Sequence, residues 1–424
     1  MSDTSRAFSN AFAVLVSAAI PSLAFGRAVF AVAFGLGFLA LLASDLRRPA
    51  WRELVERARS PVGLAIVATL GCWTLSALGS DFRFRSLEAV WRSGLFVAAA
   101  TMIHGGLRGR PELVRLAVIS LVAMSCVAAA FAVLASTVLP ELYWTLRLKG
   151  WIARPLQVEL KAYSSVSLFV LPLFALVFMD RRPALAGGTA LSAMALLYLA
   201  YATSNRAAVA GLLGALMALI LARAMRKRSA KVLLAGLGLL VGLTALVVYA
   251  LYDSRAAAAH DALTKYLRNQ DWLVPLWLID FQRQEIWGHA LALVRGAPWL
   301  GIGANTINFT PGADTPMPGN ESLHIIPSHP HNWAIEILVE AGAVGLVALL
   351  VTLALVFLSL LRCYRRTGDG GALAAIVILA AYWTSGLFNF SYWSAWWQIS
   401  FTLSVALALT WDAQGRHRSE AGSP

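Results

Sequence analysis

The chain has 424 residues, of which 59% are hydrophobic and only 13% charged, and it carries a formal net charge of +13. Apolar runs of roughly 17 to 25 residues, each long enough to cross a ~30 Å hydrocarbon core, follow one another along it, which excludes an ordinary soluble fold. Cys72, Cys126 and Cys363 lie in separate runs with no ligand spacing, so neither a disulfide framework nor a zinc site is signalled.

Continuous apolar runs without period-2 alternation select helices, because only helices and closed barrels satisfy the backbone in lipid. The expected fold is therefore an all-α polytopic membrane protein of about twelve spans. They fall near 8–25, 28–44, 62–79, 87–103, 113–138, 164–179, 184–202, 206–222, 232–251, 332–361, 371–389 and 394–411. The first run reads as a span and not as a cleaved leader, since no small-residue cleavage site follows it. Residues 1–251 then hold nine spans, 252–330 a long external loop, 331–411 three further spans and 412–424 a tail.

Most of the basic residues fall on alternate connections, among them Arg47, Arg48, Arg52, Arg57 and Arg59, and later Arg223, Arg226, Lys227, Arg228 and Lys231. The positive-inside rule places these connections and both termini in the cytoplasm. Most of the net charge is then topogenic and needs no nucleic-acid partner. The remaining cations mark the opposite side: Arg147, Lys149, Arg154 and Lys161 between the fifth and sixth spans, Arg206, several in the 252–330 loop, and Arg27, Arg83, Arg85 and Arg92. Lipid headgroup phosphates satisfy some of these. An anionic substrate is the second claimant.

In TSNRAAVAGLLG, Ser204 or Asn205 can cap the helix that follows, which puts Arg206 in its first turn. A cation there opposes the macrodipole unless an anion shares the site, and helix amides with a guanidinium form a phosphate site. The external loop contains two segments with helical apolar spacing, DSRAAAAHDALTKYLRNQ and IDFQRQEIWGHALALVRG, expected as amphipathic helices on the membrane surface. Arg283 and Trp287 share a face of the second, a pairing suited to a sugar beside a phosphate. The loop ends in SHPHNWAIEILVEAG. Here Ser328 or His329 can cap, Pro330 suits the first helical position, and Asn332, Glu336 and Glu340 repeat every four residues along a stripe expected to wall a polar pocket. A histidine at a helix start beside arginines is disfavoured as a cation, which suits His331 to act as a general base, with His329 orienting it or meeting the acceptor. NFSYWSAWW, with Tyr392, Trp393, Trp396 and Trp397, is expected as an interfacial aromatic belt.

HNWAIEILVEAG, preceded by RQEIW and PWLGIG, resembles the O-antigen ligase and polymerase superfamily, and SNRAAVAG around Arg206 is similar to that family's earlier helix start. The resemblance implies a metal- and nucleotide-independent glycosyltransferase of the GT-C type in the Gram-negative inner membrane, facing the periplasm. Its ligase members move O-antigen polysaccharide from undecaprenyl pyrophosphate to a sugar hydroxyl of lipid A-core. On that reading His331, Arg206 and Arg283 are catalytic, and His329, Asn332, Trp287, Arg147, Lys149, Arg154, Lys161 and Glu336 bind substrate. Displacement by the activated hydroxyl inverts the sugar. An O-antigen polymerase using the same donor and a lipid-linked glycan transporter are the competing readings. A transporter is expected to show paired halves and charges at mid-membrane, neither of which the sequence displays.

Overall fold

The computed structural model describes residues 3–146, 156–179, 183–203, 205–265, 281–317, 320–388 and 390–411. Arg147, Lys149 and Arg154 lie outside the described residues, as does Trp151. In chain order the helices are α1 (Asp3–Ser22), α2 (Arg27–Ala43), α3 (Arg47–Ala58), α4 (Pro61–Gly79), α5 (Arg83–Leu107), α6 (Pro111–Thr137), α7 (Pro140–Leu146), α8 (Leu156–Ser167), α9 (Val170–Met179) and α10 (Pro183–Ala202). They continue with α11 (Arg206–Lys227), α12 (Ala230–Lys265), α13 (Phe281–Val294), α14 (Trp333–Thr367), α15 (Gly370–Ser385) and α16 (Ala395–Trp411). The strands described are β1 (Pro316–Met317) and β2 (Asn320–His324), an antiparallel pair between α13 and α14.

Among the described residues, each expected span falls mainly on helix. Among the described residues, six helices are long and apolar enough to cross a membrane by themselves, or up to eight if each of two bent pairs forms one span. One bent pair is α2 with α3, turned by 102°, and the other is α8 with α9, turned by 40°. The rest fall short for visible reasons: α5 opens with Arg83, Arg85, Glu88 and Arg92, and α15 and α16 have 16 and 17 residues. The structure is thus a predominantly helical, multi-pass arrangement.

Two expectations are corrected. The helix predicted to end at 251 runs unbroken to Lys265, because DSRAAAAHDALTK contains no helix breaker and its alanines favour continuation, so no separate surface helix begins there. Trp393, Trp396 and Trp397 are 2%, 7% and 1% exposed and pack in the protein core instead of forming an interfacial belt.

The decisive feature is a break inside α14. Gly342 has φ 70° and ψ −179°, a conformation open essentially to glycine alone, and it divides the helix after its first turns. The break frees backbone groups that an apolar surround cannot hydrate. Residues 298–303 supply their partners. Ile302 and Gly303 donate to the carbonyls of Val339 and Glu340 at 3.1 and 2.9 Å, and Ala343 and Val344 donate to those of Pro298 and Trp299 at 2.9 and 3.2 Å. The backbones approach so closely that a Cβ on Gly342 would stand 2.2 Å from the Trp299 carbonyl oxygen, and one on Gly301 2.5 Å from that of Glu340.

Helix α4 holds the repaired helix from the other side. Thr69, Trp73 and Ser76 share one face and donate to the carbonyls of Ala348, Gly345 and Glu340 at 3.0, 3.2 and 2.7 Å. Helix α11 meanwhile packs tightly on α15 through Gly211 and Gly214, where a Cβ on Gly214 would lie 2.1 Å from Thr384 Oγ1. This close approach sets the start of α11 beside the end of α15.

Replacing Gly342 with alanine forces a side chain into both a forbidden conformation and a backbone contact. The expected cost is at least about 3 kcal/mol, seen as a markedly lower melting temperature of the purified protein. A melting temperature equal to that of the wild type would refute the splice.

Candidate functional site

The expected site residues converge where α8, α11, α13 and α14 present their ends. Asn205 caps α11, its Oδ1 accepting from the Ala208 amide at 3.1 Å. Its Nδ2 donates to the Lys161 carbonyl at 3.2 Å and to Ser164 and Ser165 Oγ, both at 2.8 Å, so the buried side chain ties the start of α11 to α8. Arg206 then leaves the first position of α11 on the exposed side. Lys161 stands within electrostatic reach of both the Arg206 and the Arg283 guanidinium groups.

Arg283 is at the start of α13, where its Nη2 donates to the Phe388 carbonyl at 2.8 Å. Four residues on, Trp287 Nε1 donates to the Pro330 carbonyl at 2.9 Å. Trp287 therefore clamps the SHPHN segment onto α13. This clamp and the Arg283 bond draw α13, the 386–394 turn and the start of α14 together.

Helix α14 is capped by Asn332 and not by Ser328 or His329. The Asn332 Oδ1 accepts from the amides of Ala334 and Ile335 at 3.0 and 3.2 Å, and the helix begins at Trp333, two residues later than expected. The Oδ1 of Asn332 is thus committed to the cap. Trp333 docks on the end of α15, its amide donating to Gly386 at 3.1 Å and its indole to the Trp383 carbonyl at 2.8 Å.

Before the cap, the chain turns at His331, which has φ 56°, a left-handed conformation uncommon outside glycine and asparagine. His329 stabilises the turn: its Nδ1 accepts from the His331 amide at 3.1 Å, and the two rings lie edge to face with centroids 4.2 Å apart. With Nδ1 accepting, the neutral ring of His329 carries its proton on Nε2. Burial first, then the neighbouring His331 and Arg283, hold His329 well below the ordinary histidine range. It thus remains a neutral acceptor that positions the His331 backbone.

The two glutamates occupy the protein interior instead of walling a pocket. Glu336, 1% exposed, accepts from Ser391 Oγ at 2.6 Å and from the Tyr392 amide at 2.7 Å. Glu340, fully buried, accepts from the amides of Asn305, Thr306 and Ile307 at 2.7, 2.8 and 2.9 Å, and also from Trp393 Nε1. Glu336 and Glu340 do share one helical stripe, but it faces the packed loops because their amides need acceptors there. The Arg85 side chain donates to the Asn305 carbonyl at 2.7 Å, and Arg92 bonds Glu88 and the Trp393 carbonyl, so both act in packing. Arg27 stacks over Trp396.

Lys161, Arg206, Arg283, His329 and His331 are therefore brought together. What no sequence signal disclosed is the Phe388 carbonyl that orients Arg283, and the link from Glu340 to Trp393.

The direction of the His329 shift sets a pH dependence. The unfolded chain takes up the proton near the ordinary value of 6.5, whereas the folded one resists it until well below. The stabilisation is complete above that ordinary value and is lost as the pH falls through the folded one. Replacing His329 with asparagine keeps an acceptor and removes the titration. Comparing melting temperatures at about pH 7.5 and about pH 5.5 should show a smaller acid loss in His329→Asn than in wild type. Equal losses would exclude His329 as their source.

Comparison with known proteins adds a family to this geometry. Residues 191–350 match the family model described as "O-Antigen ligase". The matched segment contains Arg206, Arg283, Trp287, His329, His331, Asn332, Glu336, Glu340 and Gly342; Lys161 precedes it. The chain is 26% identical over 117 residues to a protein of Rickettsia bellii named "Putative polysaccharide ligase", a match covering 27% of this chain and 28% of that protein. A similarly named protein of Rickettsia typhi is 27% identical over 125 residues, covering 28% of this chain and 29% of its own length. The match therefore spans less than a third of either relative. Over residues 191–350, which hold both histidines and two of the three converging cations, the chain is similar to the O-antigen ligase family.

Proposed function

We propose that this chain is a glycosyltransferase that ligates O-antigen polysaccharide from undecaprenyl pyrophosphate onto a sugar hydroxyl of lipid A-core. The observation that carries this reading is the convergence of Lys161, Arg206 and Arg283 beside the paired histidines at the start of α14. Displacing a pyrophosphate from a sugar carbon places negative charge on the leaving oxygen, and preorganised cations stabilise that charge as it forms. His331 takes the acceptor's proton while the hydroxyl oxygen attacks the anomeric carbon. The bond from that carbon to the pyrophosphate oxygen breaks on the opposite face, and the configuration inverts. His329 and Asn332 hold His331 in place through the backbone, and Trp287 seats the segment that carries it. In this reading the twelve helical segments form a GT-C-type assembly in the Gram-negative inner membrane. Residues 252–330 lie on the periplasmic side, and both termini are cytoplasmic.

Reconstitution with an undecaprenyl-pyrophosphate-linked polysaccharide and a lipid A-core acceptor tests the proposal. Wild type should place polysaccharide on lipid A-core. His331→Ala should fold and insert but lose transfer by about 10²–10⁴-fold, the usual contribution of a general base. Glycine at 331 relieves the left-handed backbone without restoring the imidazole, so His331→Gly should be equally inactive. Recovery with glycine would make the histidine's role conformational. Longer chains that remain on undecaprenyl pyrophosphate would identify a polymerase instead.

The cations are tested separately in the same assay. Arg206→Ala should lose about 10²–10³-fold in transfer, and Arg206→Lys should retain part of it, because a point charge replaces a bidentate donor incompletely. Full activity of the alanine variant would return Arg206 to a surface role.

A further inference from the structure

A second cluster of charge sits at the other end of the bundle. Helix α3 turns 102° from α2 and carries Arg47, Arg48, Arg52, Glu53, Glu56 and Arg57, with Arg59 directly after it. A segment this charged is not stable within hydrocarbon, so the turn lays it along a membrane surface. Its inner face is fixed. Ala50 and Glu53 are buried against α5, where a Cβ on Gly105 would stand 2.6 Å from Glu53 Cβ and 3.1 Å from Ala50 Cα. The Glu53 carboxylate accepts from Arg57 Nε at 2.7 Å and Arg108 Nη1 at 2.9 Å, with His104 Nε2 at 3.8 Å. His104 in turn meets Thr410 of α16 at 3.1 Å. Glu53 thus bridges Arg57 and Arg108 and clamps the helix flat on the bundle.

The outer face is different. Arg47, Arg48, Arg52 and Arg59 are exposed, and their guanidinium groups make no hydrogen bond or ion pair with the described residues. Glu56 is the single exposed acid among them, and Trp51 stands 59% exposed in the same row. Arginines flanking an exposed indole are the composition of an interfacial anchor.

Helix α5 fixes the depth. Near its start Ser86 bonds the Ala304 carbonyl of the loop that splices α14, and near its end Gly105 meets α3. At ~1.5 Å per residue the two contacts lie about 28 Å apart, close to one hydrocarbon thickness.

We propose that the outer face of α3 binds the phosphate headgroups of anionic phospholipids in the leaflet opposite the candidate active site. The charge complementarity of four unpaired arginines selects the anionic headgroup, and Trp51 seats at its level. The inference is independent of the proposed ligase reaction.

The test uses the full chain in nanodiscs of phosphatidylcholine alone or with added phosphatidylglycerol. Wild type should melt several degrees higher with phosphatidylglycerol, and the gain should shrink as salt is added. The triple variant R48Q/R52Q/R59Q should melt like wild type in phosphatidylcholine and lose that gain. By native mass spectrometry it should also retain several-fold fewer phosphatidylglycerol molecules. Equal gain and equal retention in the two proteins would overturn the proposal, as would no gain in wild type. If the glutamine variant does not fold, R48K/R52K/R59K decides: a salt-sensitive gain supports the headgroup site, and a salt-independent one refutes it.

Discussion

The rest of the structure depends on the backbone exchange between residues 298–303 and the break in α14 at Gly342. A helix interrupted in apolar surroundings leaves amides and carbonyls whose desolvation costs several kcal/mol each unless they are matched. The PWLGIG segment matches four of them with its own backbone, and Gly301 and Gly342 admit it because neither has a Cβ. Everything on the candidate-site side of the break follows from this. The first turns of α14 become a separately oriented piece, and the loop that reaches them is held at a fixed depth. The residues before the cap are then aimed at α8, α11 and α13.

The glutamates complete that arrangement by charge and hydrogen bonding. The Glu340 carboxylate gathers three successive amides of residues 305–307 and the Trp393 indole, so the loop that crosses α14 also curls around its acid. Glu336 does the same for Ser391 and Tyr392. Buried acceptors with this many donors specify a single loop conformation, because any other leaves a charged group unsatisfied. The cations are handled in the opposite way. Arg206 and Arg283 stand at the starts of α11 and α13, with Lys161 on α8 within electrostatic reach of both.

The helical class was legible from apolar length alone, but among the described residues six helices, or up to eight with the two bent pairs, have the length and apolarity of a span where twelve were expected. The capping role of Asn205 was readable from SNRAAVAG, and the importance of HNWAIEILVEAG from a histidine pair ahead of a polar stripe. What the stripe does was not readable. Periodicity places Asn332, Glu336 and Glu340 on one face, but it does not say whether water, substrate or a loop lies opposite. The burial of the NFSYWSAWW tryptophans was not readable for the same reason: an interfacial belt and a buried aromatic cluster have the same composition, and only the neighbours distinguish them. At α12 the local rule was sufficient and was overridden by the change in polarity at 252, although nothing in DSRAAAA ends a helix.

Taken by itself, the sequence determined the helical class, the places of the long apolar helices and which side chains start or cap them. These follow from local quantities: hydropathy over one membrane thickness, helical period and the chemistry of single side chains. Only the tertiary structure decided that Gly342 breaks its helix, that Glu336 and Glu340 face inward, and that Lys161, Arg206, Arg283 and the two histidines meet. It also decided that Glu53 clamps α3 flat. Each of these pairs residues tens to hundreds of positions apart, and a backbone donor such as the Ile307 amide or an acceptor such as the Phe388 carbonyl carries no side-chain signature to announce it.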